Sequence, residues 1–253
     1  MKSSFSHRLR SVASITCVSF IATLFVDVDL TAFAASSATS SGNAMGQLGQ
    51  IAESAGQTQS FQADLFTGRA QTSVPIFVPP GRKNVQPSLS LNYSSSSGNG
   101  WLGMGWSLDM GSIQRSTKNG IPKYDSSDTY VFSYQGVSSD LVLVGTNEYR
   151  AKDEALFLKF VNDTTNNKWV VTDKSGTQHT FGDSSSNRQS NGLGTFKWLL
   201  CKVKDTSGNY MTATYTTDGG QLYLATIEYN GNEAQSFAHS HRVEFTLQER
   251  DDD

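Results

Sequence analysis

The chain has 253 residues, of which 37% are hydrophobic, 11% aromatic and 17% charged. That length allows one or two domains with a sizeable core. A charged fraction well below the roughly 25% of typical domains argues against a charged helical bundle, a coiled coil or an acidic disordered regulator. The chain has 20 basic and 23 acidic residues and no basic run outside the extreme N-terminus. This charge distribution does not predict a basic surface that would bind nucleic acid. Two cysteines, Cys17 and Cys201, are too few for a disulfide scaffold.

The first 34 residues show the pattern of a secretory signal peptide. A basic start is followed by a mostly apolar run over 12–26, which at about 15 residues is too short to span a bilayer comfortably. Ala32 and Ala34 place small residues at both positions that a signal peptidase reads, so we expect cleavage after Ala34 and a secreted, extracellular mature protein. An uncleaved anchor or a mistranslated start is the alternative, because Asp27 and Asp29 are unusual before a cleavage site.

The remaining chain divides by composition into a linker and one large domain. Residues 35–60 are rich in Ser, Gly, Ala and Gln and predict a flexible linker, whose composition also allows a weak helix over 45–54. From 61 to 253, short runs of β-branched and aromatic residues are separated by turn-forming residues at intervals of about 8 to 12 residues. This pattern predicts an all-β domain of many short antiparallel strands and hairpins, shell-like or sandwich-like in architecture. The clearest strands are predicted over 88–93, 129–134, 141–144, 169–172 and 243–247.

Turn chemistry and a weak internal echo support this interpretation. Turns are predicted at 119–120, 218–220 and 230–231, where Asn, Asp and Gly tolerate positive φ. The segments 169–177 and 198–209 each begin with Trp and end in an Asp-x-Ser-Gly turn. Two copies do not establish a repeat array, but they indicate consecutive hairpins. The segment 151–159 is helical in composition and is equally consistent with the approach to a strand.

The densest glycine cluster, at 98–106, does not have the features of a phosphate-binding loop. A dinucleotide fingerprint needs a preceding strand, a following helix and a later acidic residue, and a P-loop needs a Lys followed by Ser or Thr. The cluster has neither pattern and continues into a segment that is typical of a strand and turn. We therefore interpret its glycines as sharp backbone turns that let Trp101 and Trp106 pack on neighbouring strands.

Histidines and acidic residues give no convincing metal or catalytic pattern. His239 and His241 are two positions apart and begin a metal site only if further ligands join them, and none occurs at ligand spacing. His179 has no Ser or Cys partner motif, and the chain contains no Gly-x-Ser-x-Gly elbow. The segment 125–128 lacks the spaced oxygens of a calcium loop and predicts a turn.

The other reactive side chains are interpreted as structural. Cys201 lies in a strand-like run and is expected to be a small buried residue rather than a nucleophile. Arg69, Arg82 and Arg115 are expected to be surface or structural residues. We assign no catalytic residue, no cofactor-binding residue and no metal ligand.

Several short motifs follow one another from about residue 64 to residue 245. They are Phe66-Thr67-Gly68-Arg69-Ala70, Ser73-Val74-Pro75-Ile76, Pro79-Pro80-Gly81-Arg82, Gln86-Pro87-Ser88-Leu89-Ser90-Leu91-Asn92-Tyr93, Leu102-Gly103-Met104-Gly105-Trp106 and Gly120-Ile121-Pro122-Lys123-Tyr124-Asp125. Their order and spacing resemble the opening of the SpvB family, which includes the N-terminal region of the Salmonella virulence plasmid B protein and the B components of insecticidal toxin complexes. Asp205-Thr206-Ser207-Gly208-Asn209 is similar to the Asp-x-x-Gly-Asn units of that family and of Rhs/YD-repeat proteins.

The resemblance implies a non-enzymatic structural or encapsulation module of an exported toxin or virulence protein. In toxin complexes this region belongs to a larger β-rich cocoon that encloses a toxic polypeptide and docks onto a translocation channel. The implied partners are other toxin-complex subunits or downstream Rhs and toxin domains. In the plasmid virulence protein the region precedes an ADP-ribosyltransferase, whose Glu-x-Glu signature does not occur in this sequence.

The end of the chain leads to one further expectation. The propeller and Rhs repeats that follow in the family are missing, so we expect the domain at 61–253 to be truncated at its C-terminus. A fragment of a shell has unpaired strand edges, and we expect it to self-associate.

The alternative function is a secreted or cell-surface β-sandwich that binds carbohydrate or acts as an adhesin, with Trp101, Trp106, Trp169 or Trp198 as stacking platforms. An enzyme would require an active site that the sequence does not show.

Overall fold

The computed structural model describes residues 11–19, 62–63, 69–154 and 156–249. Within these ranges it has nineteen β-strands and two short 3-10 helices, Arg82–Asn84 and Ser185–Asn187. The strands are β1 (Ser11–Ser19), β2 (Gln62–Ala63), β3 (Ala70–Ile76), β4 (Leu89–Ser94), β5 (Asn99–Gly100), β6 (Gly103–Met104), β7 (Trp106–Ser107), β8 (Ser112–Arg115), β9 (Tyr130–Tyr134), β10 (Val137–Gly145), β11 (Glu148–Ala151), β12 (Lys159–Asp163), β13 (Lys168–Thr172), β14 (Gln178–Phe181), β15 (Arg188–Asn191), β16 (Gly194–Lys204), β17 (Asn209–Asp218), β18 (Gln221–Asn232) and β19 (His241–Glu249). Among the described residues, no helix has the length and apolar character needed to cross a membrane.

Eight strands close into an antiparallel barrel. Their order is β8-β9-β10-β11-β12-β13-β14-β16, and β16 pairs back onto β8 through Trp198 opposite Ile113. Closure removes the free edges that an open sheet of this size would present. The all-β class predicted from the sequence is confirmed.

The long strand β16 belongs to two sheets at once. Its first half pairs with β8 and β15, whereas Lys202, Val203 and Lys204 in its second half pair with β14 and β17. From β17 the sheet continues through β18 and β19 to β1. A small sheet of β2, β3, β4 and β7 and the hairpin of β5 and β6 lie outside this system.

Alternating side chains fill the barrel in layers. We name its two ends by residues: at the Arg115 end β8 finishes and β9 begins, and at the His179 end β13 turns into β14. The layer nearest the Arg115 end is aromatic, and its members are Tyr130, Tyr149, Trp169 and Trp198. The middle layer is fully buried and contains Ile113, Phe132, Phe160, Val171 and Phe181. Aromatic rings dominate this core, and their edge-to-face contacts add to the free energy of burial.

The clearest strand predictions are confirmed, and one turn prediction is wrong. The five predicted strands coincide with all or part of β4, β9, β10, β13 and β19. Asn230 and Gly231 do not connect two strands but lie inside β18, where the pairing with β17 shifts register. The positive φ of Asn230, 68°, serves a β-bulge there. The segment 151–159 approaches strand β12, as one of its two interpretations predicted.

Candidate functional site

The Arg115 end of the barrel holds a buried ion pair. Arg115 Nη1 donates to Asp128 Oδ2 at 2.7 Å, and the two side chains are only 12% and 8% exposed. Arg115 Nε donates to the carbonyl oxygen of Thr195 at 2.9 Å. The guanidinium carbon also lies within 6 Å of three ring centroids, those of Tyr124, Tyr130 and Trp198. Arg115 is therefore structural, as the sequence predicted, whereas Arg69 and Arg82 are exposed.

Asp128 organises the predicted turn that leads into β9. Besides Arg115, its carboxylate accepts the backbone N–H groups of Lys123 at 2.9 Å and Tyr124 at 2.7 Å. Burial alone would raise the pKa of Asp128, but these donors and the guanidinium outweigh it and hold the pKa below its usual value. Asp125 accepts both the N–H and the hydroxyl of Ser127. The carboxylates of 125–128 thus close a turn.

The tryptophans divide between core and surface. Trp169 is fully buried and Trp198 is 3% exposed, so neither can be the stacking platform that the adhesin alternative suggested. The alternating pattern of β13 and β16 points both rings into the barrel, where Trp198 Nε1 donates to the Asn167 carbonyl oxygen at 3.0 Å. Trp106 packs at 5.2 Å from the ring of Tyr93, as the interpretation of the glycine cluster predicted.

At the His179 end, the two predicted Asp-x-Ser-Gly segments form the same turn. Asp173 Oδ1 accepts the N–H groups of Ser175 and Thr177, at 2.8 and 2.9 Å. In the second copy, Asp205 Oδ1 accepts the N–H groups two and four positions later, at 2.9 and 2.8 Å. In both turns the glycine N–H donates to the aspartate carbonyl oxygen at 3.1 Å. The repeated Asp-x-Ser-Gly motif in the sequence therefore forms the same aspartate-closed turn twice.

His179 lies between these turns and the barrel interior. It is two residues from the buried Phe181 on β14 and directly opposite Val171 on β13, so its ring points inward. Burial lowers the pKa of His179, which Asp173 only partly opposes, and the ring is neutral at pH 7. Its Nδ1 is buried and has no hydrogen-bond partner in the described part of the chain. The neighbouring Tyr134 has its pKa raised to about 12 by burial.

The other residues that the sequence analysis considered, His239, His241 and Cys201, pack against neighbouring side chains or hydrogen-bond to the backbone. The ring of His239 packs on Tyr210 at 4.3 Å, and His241 packs on Tyr229 at 5.0 Å. Cys201 is buried and donates through Sγ to the Thr180 carbonyl oxygen at 3.1 Å. Burial raises its pKa to about 12, so the thiol is not activated. Among the residues described, no group of three or more His, Cys, Asp or Glu side chains is placed to hold a metal ion.

One barrel strand projects beyond its neighbour at the Arg115 end. The pairing of β10 with β9 ends at Leu141, and from there to Gly145 the strand is paired by β11. The three residues between are apolar and between 47% and 59% exposed, namely Val142, Leu143 and Val144. We call this segment, 142–144, the β10 overhang. An exposed apolar strand with one open edge is suited to protein association.

The cleavage site and the linker cannot be placed against this geometry. Ala34 and residues 35–60, with the weak helix over 45–54, lie outside the described residues. Cleavage after Ala34 therefore stays a prediction.

Comparison with known proteins identifies relatives with this architecture. Mono(ADP-ribosyl)transferase SpvB of Salmonella choleraesuis (strain SC-B67) is 28% identical in a match that covers 66% of this chain and 32% of that protein. The chain thus spans about a third of the length of the curated relatives it matches. Among solved structures, that of TcdB2-TccC3 has a TM-score of 0.60 at 24% identity, over 67% of this chain and 10% of that one. The N-terminal domain of effector protein SpvB from Salmonella typhimurium strain LT2 has a TM-score of 0.53 at 23% identity, over 62% of this chain and 63% of that one.

These similarities define the class of the protein and then its family. The chain is an all-β module that shares its fold with part of TcdB2-TccC3 and with the N-terminal domain of SpvB. It belongs to the SpvB family, because the family model described as Salmonella virulence plasmid 65kDa B protein matches residues 65–248. The resemblance found in the sequence is thereby confirmed. The matches to the transferases cover their N-terminal domain and not the catalytic region.

Proposed function

We propose that this chain is a non-enzymatic structural module of an exported SpvB or toxin-complex type assembly. The observation that carries the proposal is the family match over residues 65–248, which lies in the non-catalytic part of the named transferases. The described residues support it, because Asp173 and Asp205 are committed to turns and Arg115 and Asp128 to an ion pair with little exposure. A barrel whose middle is filled with aromatic side chains is a rigid building block.

The proposed partners are further β-rich polypeptides of a toxin complex, including Rhs/YD-repeat chains. The similarity to TcdB2-TccC3 supports this class of partner, since the matched module there occupies only 10% of a much longer chain. The β10 overhang gives such a partner an apolar strand edge to contact. We further propose that the protein is exported after removal of residues 1–34 by a signal peptidase.

Two measurements on the protein recovered from the native host test this function. Size-exclusion chromatography with light scattering should show the chain in a complex of defined stoichiometry with a longer β-rich polypeptide. Incubation with biotin-labelled NAD⁺ and a eukaryotic lysate should label no protein, whereas a full-length Salmonella relative run in parallel should. Transfer of label by this chain, abolished by a single substitution, would refute the non-enzymatic role.

A glycan-binding surface is a second candidate, and one cleft favours it. A cleft of about 850 Å³ lies between β16 and the hairpin that β17 and β18 form. Trp101 and Tyr223 line it, with ring centroids 6.1 Å apart, together with the polar side chains of Asp218 and Gln221. A glycan array should show binding that Trp101→Ala abolishes and Trp106→Ala, outside the cleft, leaves intact.

A further inference from the structure

A second cavity opens at the His179 end of the barrel, where the layered core stops short of the last turns. Its volume is about 410 Å³, within the range of small-molecule sites. Phe132, Val171 and Phe181 of the middle core layer form its floor, and Leu158 and Met211 line its walls. The end of a small closed barrel is a recurrent place for such a site.

Among the described residues that line the cavity, one buried side-chain polar atom has no hydrogen-bond partner, and it belongs to His179. Asp173 Oδ1 and both carboxylate oxygens of Asp205 accept hydrogen bonds within their own turns. Tyr134 accepts from Gln135 at 3.2 Å. His179 Nδ1 is buried without a partner, although buried polar atoms nearly always have one. A bound molecule with a hydrogen-bonding group would supply the missing partner of His179 Nδ1.

The rim of the cavity includes the 3-10 helix Arg82–Asn84, which is held in an unusual conformation. Lys83 and Asn84 both have positive φ, 49° and 62°. Two consecutive non-glycine residues in this region are strained and persist only where the surroundings hold them. Lys83 Nζ donates to Ser207 Oγ at 2.8 Å, and Arg82 N–H donates to Asn230 Oδ1 at 3.0 Å. These bonds fix the helix to the turn between β16 and β17 and to strand β18, and they keep it at the rim.

We propose that this cavity binds a small neutral aromatic molecule with one hydroxyl group, which hydrogen-bonds to His179 Nδ1. The aromatic character follows from the ring-lined floor, against which an aromatic ligand packs edge-to-face. The neutrality follows from the lining charges, because Lys83 and Lys174 are matched by Asp173 and Asp205. A hydroxyl suits either neutral tautomer of His179, since it both donates and accepts. This site is separate from the structural role proposed above.

A pair of matched probes tests the site. Titration calorimetry of the full chain should show that 2-naphthol binds, and that it binds about three- to tenfold more tightly than naphthalene, as expected for one net hydrogen bond. In the variant His179→Phe the preference should disappear while naphthalene still binds. The control variant His241→Phe, at the start of β19, should keep the preference.

A second variant separates this cavity from other surfaces. Leu158→Trp should fill the space and abolish binding of both probes, with an unchanged circular dichroism spectrum as the check on folding. If Leu158→Trp does not fold, the proposal is tested by the ratio of the 2-naphthol and naphthalene affinities in the parent chain and in His179→Phe. Equal affinity for the two probes, or an unaltered preference in His179→Phe, would overturn the proposal.

Discussion

A single buried cation links three elements at one end of the barrel. Arg115 closes β8, and its ion pair with Asp128 ties that strand to the loop before β9. Its bond to Thr195 adds β16, the strand that closes the barrel. A buried charge is stabilising only when it is paired and hydrogen-bonded. Loss of one partner of Arg115 therefore weakens the contribution of its other contacts.

We expect the substitution Arg115→Met to lower the free energy of unfolding by about 3 kcal/mol or more, because it leaves the Asp128 carboxylate buried without its cation. Lys118→Met is the matched control. It breaks the ion pair with Asp140, in which the lysine side chain is 67% exposed, and should cost less than about 1 kcal/mol. Urea denaturation of both variants measures the difference. Equal losses would show that burial does not distinguish the two pairs.

The same residue predicts how stability depends on pH. The folded state lowers the pKa of Asp128, so its ionised form stabilises the fold above the usual carboxyl pKa of 3.8. That contribution decreases as the pH falls from 3.8 through the lower folded-state pKa. Asp128→Asn should therefore differ most from the parent chain at pH 6 and progressively less below pH 3.8, in thermal unfolding at several pH values. A difference that is constant down to pH 2 would contradict it.

Among the elements, two turns that flank β17 show different reasons for a glycine. Gly208 has a φ of 83°, and a Cβ there would lie 2.9 Å from Ala234 Cβ and 3.0 Å from its backbone nitrogen. Gly219, in the turn between β17 and β18, has a φ of 54° with open space around it. Gly219→Ala should cost about 1 to 2 kcal/mol for its backbone conformation alone. Gly208→Ala should cost at least about 1 kcal/mol more, because it also meets a clash. Chemical denaturation compares the two, and an equal cost would exclude the clash as a factor.

The β10 overhang carries the prediction for association. Replacing Val142 and Val144 by lysine puts charge on its open edge and should weaken self-association. Sedimentation velocity over increasing concentration should show a shift from oligomer to monomer in this double variant. Ser138→Lys, an exposed position in the part of β10 that pairs with β9, should leave the association unchanged. A monomeric parent chain would show that this edge does not associate by itself.

Local patterns in the sequence were sufficient to predict strands but not their closure. The alternation in 88–93 or 129–134 reports which face of a strand is buried, and it requires no knowledge of partners. The bulge at Asn230 used the same residue types as a turn, so composition alone did not separate the two. The cavity beside His179 was not predictable, because Phe132, Val171 and Phe181 meet only after closure.

At the scale of the whole molecule, closure depends on a contact between distant parts of the chain. Ile113 on β8 pairs with Trp198 on β16, and neither the spacing nor the composition of the sequence predicts that pairing. The core residues that meet inside the barrel are spread along the chain from Ile113 to Trp198. The barrel core is therefore assembled from residues that are distant in the sequence.

Strand β1 pairs with β19 and not with a barrel strand, and this leads to a prediction about the mature protein. Ser11–Ser19 forms β1 on the outer edge of β19, yet cleavage after Ala34 would remove that strand. We expect the protein recovered from the medium to begin at Ala35 and to keep a melting temperature within about 4 °C of the uncleaved chain, a difference of about 1 kcal/mol or less. Arg242 and Glu244 are exposed on β19, and their charges protect its edge once β1 is gone. N-terminal sequencing and thermal unfolding of residues 35–253 beside the uncleaved chain measure both parts. A secreted form that retains residues 11–19, or a fall of more than about 10 °C without them, would show that β1 is a permanent strand of the sheet and that the first 34 residues are not a cleaved signal.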